Sequence, residues 1–137
     1  MFFKKKEKVE INSNLIEICA LLIHAAKIDE HFSEKEKNII KQTMLKIGVK
    51  EDHLDKLFNE AIKIEDNSNQ ILNFTKEVKN MNEQNKIQII EALWRIIYSN
   101  KEADIYETSL MRRLGGLLYV DNKVMGDIKE KIKNENL

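Results

Sequence analysis

Asp29-Glu30-His31-Phe32-Ser33-Glu34-Lys35-Glu36 and Asn100-Lys101-Glu102-Ala103-Asp104-Ile105-Tyr106-Glu107 are the two polar stretches on which the fold turns. Glu36 and Glu107 stand 71 positions apart, and each stretch separates two runs with helical periodicity. Ser33 with Glu36 has the spacing of a capping box: the hydroxyl accepts the amide three residues on, and the glutamate reaches back to the amide of the cap. Asp104 with Glu107 repeats the pattern, with Asp104 also favourable against the helix dipole. Both stretches therefore predict a helix start.

Working outward, apolar residues recur every three or four positions. Leu15, Ile18, Cys19, Leu22, Ile23 and Ala26 predict a helix from about Asn14 to Ile28. Ile39, Ile40, Met44 and Ile47 carry the second to a stop at Gly48. Leu54, Leu57, Phe58, Ala61 and Ile62 mark the third, and Glu65 to Asn69 reads as a polar turn. Ile71, Leu72, Phe74 and Val78 suggest a short fourth helix. Asn82 can cap a fifth with Ile87, Ile90, Leu93, Trp94 and Ile97. Leu110, Met111, Leu114 and Leu118 form the sixth, and Asp121 can cap a seventh with Val124, Met125, Ile128 and Ile132. Proline is absent and glycine numbers four, so few breakers oppose long helices. No segment alternates with a period of two for long enough to make a strand.

A shift of 71 residues superimposes one half of the chain on the other: Cys19 falls on Ile90, Leu22 on Leu93, Ile40 on Met111 and Ile47 on Leu118. The polar punctuation follows, Ser33 on Asp104 and Glu36 on Glu107. Repeats of about 14–62 and 85–133 result. Three short amphipathic helices bury too little alone, so each half needs the apolar face of the other. The expectation is one all-α domain over residues 11–137, preceded by a flexible basic tail at 1–10. Its seven helices form two three-helix units with pseudo-two-fold symmetry, joined by the short fourth helix.

Composition narrows the function. The chain of 137 residues carries 23 Lys plus Arg against 23 Asp plus Glu, a net charge of zero. Counterion-release binding to nucleic acid needs a basic excess, so no nucleic-acid partner is expected. The lone Cys19 makes no internal disulfide, and a cytoplasmic, reducing location is the default. Lys4, Lys5, Lys6 and Lys8 before an apolar run superficially mimic a secretory signal, but Glu7, Glu10, Glu17 and His24 interrupt the pattern. With Phe2 and Phe3, this start offers at most a weak membrane-surface contact.

If the two halves bring their loops to one side, Asp29, Glu36, Asn100 and Glu107 converge. Oxygen-only ligands of this kind suit a hard divalent cation, Ca²⁺ or Mg²⁺. The spacing is not that of an EF-hand, and capping competes for the same carboxylate oxygens. Elsewhere, His24 reads as a partly buried, hydrogen-bonded histidine, His31 as a solvated loop residue and His53 as superficial. Cys19 and Trp94 fall on core stripes. Arg95 can pair with Glu91 one turn earlier, Arg112 and Arg113 can neutralise the acidic loops, and Gly115-Gly116 permits close helix contact. Nothing supports a nucleophile with its base, a phosphate-binding loop or a zinc finger, so no catalytic residue and no further cofactor is assigned.

These loops resemble the TerB-like family, the helical domain of tellurite-resistance protein B and its bacterial relatives. That family carries a doubled Ala-Asp-Gly-x-Ile-x-x-x-Glu type motif. Ile28 to Glu36 and Ser99 to Glu107 stand in its place, and Tyr106-Glu107 followed by Leu110-Met111-Arg112-Arg113-Leu114 is similar to the small stand-alone branch. The resemblance spans roughly Asn14 to Ile132. It implies a seven-helix pseudo-symmetric domain with an acidic surface, divalent-cation binding and a loose link to stress and tellurite resistance, without catalytic activity. Related domains at the start of membrane-anchored DnaJ-like co-chaperones imply a protein-interaction role. A metal-dependent enzyme using the same carboxylates is the remaining alternative. The chain departs from the motif at Glu30 and Lys101, which replace its glycine, and at Asn100, which replaces the second aspartate.

Overall fold

The computed structural model describes residues 15–27, 32–67, 72–99 and 105–135, leaving out the side chains of 72–74, 77 and 105–107. Among these residues the backbone is helical at 15–26 (α1), Glu34–Lys46 (α2), Glu51–Asp66 (α3), Leu72–Lys79 (α4), Glu83–Tyr98 (α5), Ile105–Leu117 (α6) and Asn122–Glu135 (α7), with no strand. The all-α class follows. No helix of the described residues is long and apolar enough to cross a membrane. The basic tail at 1–10 and the proposed cap Asp104 lie outside the described residues.

Periodicity located the helices and understated the burial of two of them. Ala20, Leu21 and Ala25 lie off the stripe read for α1, yet all are buried with Ile18, Cys19, Leu22, Ile23 and Ala26. In α5, ten residues are buried, among them Lys86 and Glu91. A helix apolar on nearly every side is an interior one. α5 packs against α7, α2 and α4, while α2 packs on α3 and α4 on α6. The other helices keep the expected single stripe. Val124 is an exception: read as core, it is exposed, because Met125, Ile128 and Ile132 alone define the inner face of α7.

α2 and α6 end in the same way. After α2, Gly48 has φ 117°, its N–H donates to Leu45 O and the Val49 N–H to Met44 O. After α6, Tyr119 has φ 57°, its N–H donates to Gly116 O and the Val120 N–H to Gly115 O. Each is a Schellman closure. Gly48→Ala places a Cβ where L residues are strained and is expected to lower stability by about 1–2 kcal/mol. Tyr119→Gly relieves a milder strain but frees the unfolded chain and removes the Lys79 Nζ contact 4.5 Å from the ring centroid. Its net effect is below about 1 kcal/mol. Urea denaturation of both variants checks the asymmetry.

Charged side chains tie α1 to α3 and α5 to α7. His24 Nδ1 lies 3.2 Å from Glu65 Oε2, and Lys27 Nζ lies 2.6 Å from Glu65 Oε1 and 2.5 Å from Asp66 Oδ1. The polar composition from Glu65 suggests a turn, but α3 runs on to Asp66 because Glu65 is held against α1. Arg95 likewise clasps Glu135 through Nε (2.6 Å) and Nη2 (3.0 Å). Glu91, assigned to Arg95 by helical spacing, binds Lys131 at 2.6 Å instead. The pairing across to α7 wins because α5 and α7 lie side by side and a guanidinium grips a carboxylate best in a two-pronged geometry. Hydrogen bonding to Arg95 holds the Glu135 carboxyl below its ordinary range. This half-exposed pair adds a small stability at neutral pH, lost as pH falls through that lowered pKa.

Of the two adjacent glycines, Gly115 makes the close contact. A Cβ there would stand 3.4 Å from Met125 of α7, whereas one at Gly116 would meet nothing within 4 Å.

Candidate functional site

The start of α2 takes the form that its spacing predicts. Ser33 is extended (φ −75°, ψ 162°), and its Oγ accepts the Glu36 N–H at 3.1 Å. Glu36 Oε1 in turn accepts the Ser33 N–H at 2.8 Å and the Ser33 hydroxyl at 2.9 Å. This ring of hydrogen bonds puts a carboxylate that is only 1% exposed at the third position of the helix. There it faces the unsatisfied amides and the positive end of the dipole at the helix N-terminus.

An aromatic contact fixes the approach to this cap. Phe32 stacks on Phe58 of α3 with centroids 6.1 Å apart, and Lys37 and Lys41 place their ammonium groups 5.3 and 5.1 Å from the two rings. Phe32 and Lys37 occupy the positions of a hydrophobic staple, with the lysine covering the ring in place of an apolar residue.

Of the four residues read as cation ligands, Glu36 is fully described. Asp29 and Asn100 lie outside the described residues, as does His31. Glu107 is described by its backbone alone, which sets it at the third position of α6, the counterpart of Glu36 in α2. Among the described residues no group of three or more His, Cys, Asp or Glu could hold a metal ion.

The remaining candidates sit as their surroundings require. Cys19 is fully buried, and burial pushes its thiol up to about 12, so it is no nucleophile at neutral pH. Trp94 is buried, stacked on Tyr98 at 5.9 Å, with Lys129 Nζ 5.6 Å from its ring. Arg112 and Arg113 are exposed, and so is His53.

The sequence reading missed the buried carboxylate of Glu65, shared by His24 and Lys27. Hydrogen bonds to Asp66 and Glu65 raise the Lys27 ammonium above its ordinary pKa. The signal was present: Leu54, Leu57, Phe58, Ala61 and Glu65 continue one stripe at three- and four-residue steps. A glutamate on such a stripe needs a cation from the helix it faces.

Residues 15–130 match the family model described as tellurite resistance protein TerB. No curated protein and no solved structure matches the chain.

Proposed function

The chain belongs to the tellurite resistance protein TerB family, and from that membership we propose that it is a non-enzymatic binding module whose paired helix starts take up a divalent cation. One observation carries this reading. Glu36 is the third residue of the 13-residue helix α2, and Glu107 is the third residue of the 13-residue helix α6. Carboxylate oxygens are the ligand type that a hard divalent cation prefers. Asp29 and Asn100 would complete an oxygen-only set for Ca²⁺ or Mg²⁺. The link to tellurite resistance and to stress rests on the family alone.

The convergence of the two loops requires a duplicated architecture of two three-helix units, with α4 between them. Several registers support it. α2 and α6 begin at 34 and 105, and α3 and α7 at 51 and 122. The positive-φ residues 48 and 119 fall 71 positions apart, as do His24 and Arg95, each of which grips a carboxylate near the end of α3 or α7.

Titration calorimetry with Ca²⁺ and Mg²⁺ tests the cation reading. Saturable binding by the intact protein, lost in the Glu36→Gln/Glu107→Gln double variant, is the expected result. Absence of binding at millimolar cation removes the site.

A second reading, an adaptor for a partner protein, is favoured by Tyr119. This side chain is 74% exposed and stands on a strained backbone position, an arrangement that gains the isolated chain little.

A further inference from the structure

The largest of the described grooves, about 300 Å³, lies on the opposite electrostatic footing from the helix starts. Lys35, Asn38, Gln42 and Lys46 line it at steps of three and four along one face of α2, with Ile39 beside them and Arg95 of α5 facing them. No carboxylate lines it. Among the described residues, Lys35 and Lys46 have no acidic group within 4.0 Å, and neither Asn38 nor Gln42 has a side-chain hydrogen-bond partner. The stripe thus presents two ammonium groups and two carboxamides that the fold leaves uncommitted.

Arg95 supplies the specific element. Its side chain is 21% exposed, and Glu135 occupies Nε and Nη2 while Nη1 has no hydrogen-bond partner among the described residues. Glu135 thereby fixes the plane of the guanidinium and directs its unoccupied edge elsewhere. A planar fork held in this way is pre-organised for an oxyanion, and the loss of side-chain entropy has already occurred on folding. Lys46, in the last turn of α2, lines the groove together with Arg95.

We propose that this groove binds a small molecule bearing a carboxylate or phosphate group, with the oxyanion between Lys46 and the free edge of Arg95 and the remainder along Gln42 and Asn38. The two roles of Glu135 give the proposal its signature. As an acceptor it orients Arg95, and as a charge it opposes the incoming anion. Glu135→Gln keeps one of the two acceptor oxygens and removes the charge, so it tightens binding where a purely structural pair would leave it unchanged.

The test is an amide-detected NMR titration of the full chain with sodium phosphate and, separately, sodium succinate, at constant ionic strength. Saturable shifts confined to residues 35–46 and 95 are expected with one probe or both, and the probe that saturates at lower concentration assigns the anion as phosphate or carboxylate. Arg95→Gln should weaken binding by about 10-fold and Glu135→Gln tighten it by about 3-fold, while Lys37→Gln, outside the groove, leaves it unchanged. Lys46→Gln, at an exposed position, serves where Arg95→Gln disturbs folding and should weaken binding by about 5-fold. Shifts that fail to saturate by about 50 mM with both probes, or that spread over lysines outside the groove, overturn the proposal, as does weaker binding in Glu135→Gln. The outcome is independent of the cation reading, which uses other residues and the opposite charge.

Discussion

Leu93→Ala is expected to cost about 3–4 kcal/mol, a large fraction of the roughly 5–15 kcal/mol that holds a domain of this size folded. Leu93 is fully buried in α5, the helix that packs against α2, α4 and α7 together. Truncation removes the transfer free energy of three carbons and leaves a void with rigid helices on several sides. An edge helix can slide to fill such a gap, and a central one cannot. Ile87, on the same helix but half-buried, should cost about a third as much on replacement by alanine. Guanidinium denaturation distinguishes the two: the midpoint of Leu93→Ala falls far more, with the slope unchanged. Equal losses at both positions would mean that α5 is not the interior element.

The contrast between α5 and α7 shows how far the sequence could be read. Period and caps depend on neighbours three or four residues away, so they survive in sequence. Ser33 and Asn82 cap α2 and α5 as their types suggest, and Asp121 accepts the Lys123 N–H at 3.2 Å at the start of α7. What lies across a helix interface is not local. Ala20, Leu21 and Ala25 carry no stripe signal, yet all three are buried. Arg95 has Glu91 within reach on its own helix but a better-oriented carboxylate on α7. Long side chains choose partners by tertiary geometry, and i,i+4 spacing ranks only the local choices. The candidate site divides in the same way. The ring joining Ser33 and Glu36 was legible because it closes within four residues. The stripe of Lys35, Asn38, Gln42 and Lys46 has the composition of an ordinary solvated helix face, and only the tertiary structure sets Arg95 across from it.

Replacing Glu36 in two ways separates the structural from the binding role of that carboxylate. Glu36→Ala removes the acceptor of both the Ser33 N–H and the Ser33 hydroxyl at a site where Glu36 itself is 1% exposed. Part-buried donors left without partners cost up to about 1–3 kcal/mol, and a cap weakened at the same time brings the expected loss to about 2 kcal/mol. Glu36→Gln retains a carbonyl oxygen at the same reach, and glutamine is accepted in a capping box, so its loss stays below about 1 kcal/mol. Thermal unfolding measures both. A cation, by contrast, responds to charge: glutamine offers a weaker, neutral oxygen, and affinity for a hard divalent ion drops steeply with each carboxylate removed. Glu36→Gln should therefore unfold almost like the parent and bind the cation poorly, whereas Glu36→Ala loses both properties. If Glu36→Gln proved as unstable as Glu36→Ala, the negative charge itself would be stabilising the start of α2. A loss of cation affinity in the double variant would then report a loosened helix instead of a missing ligand.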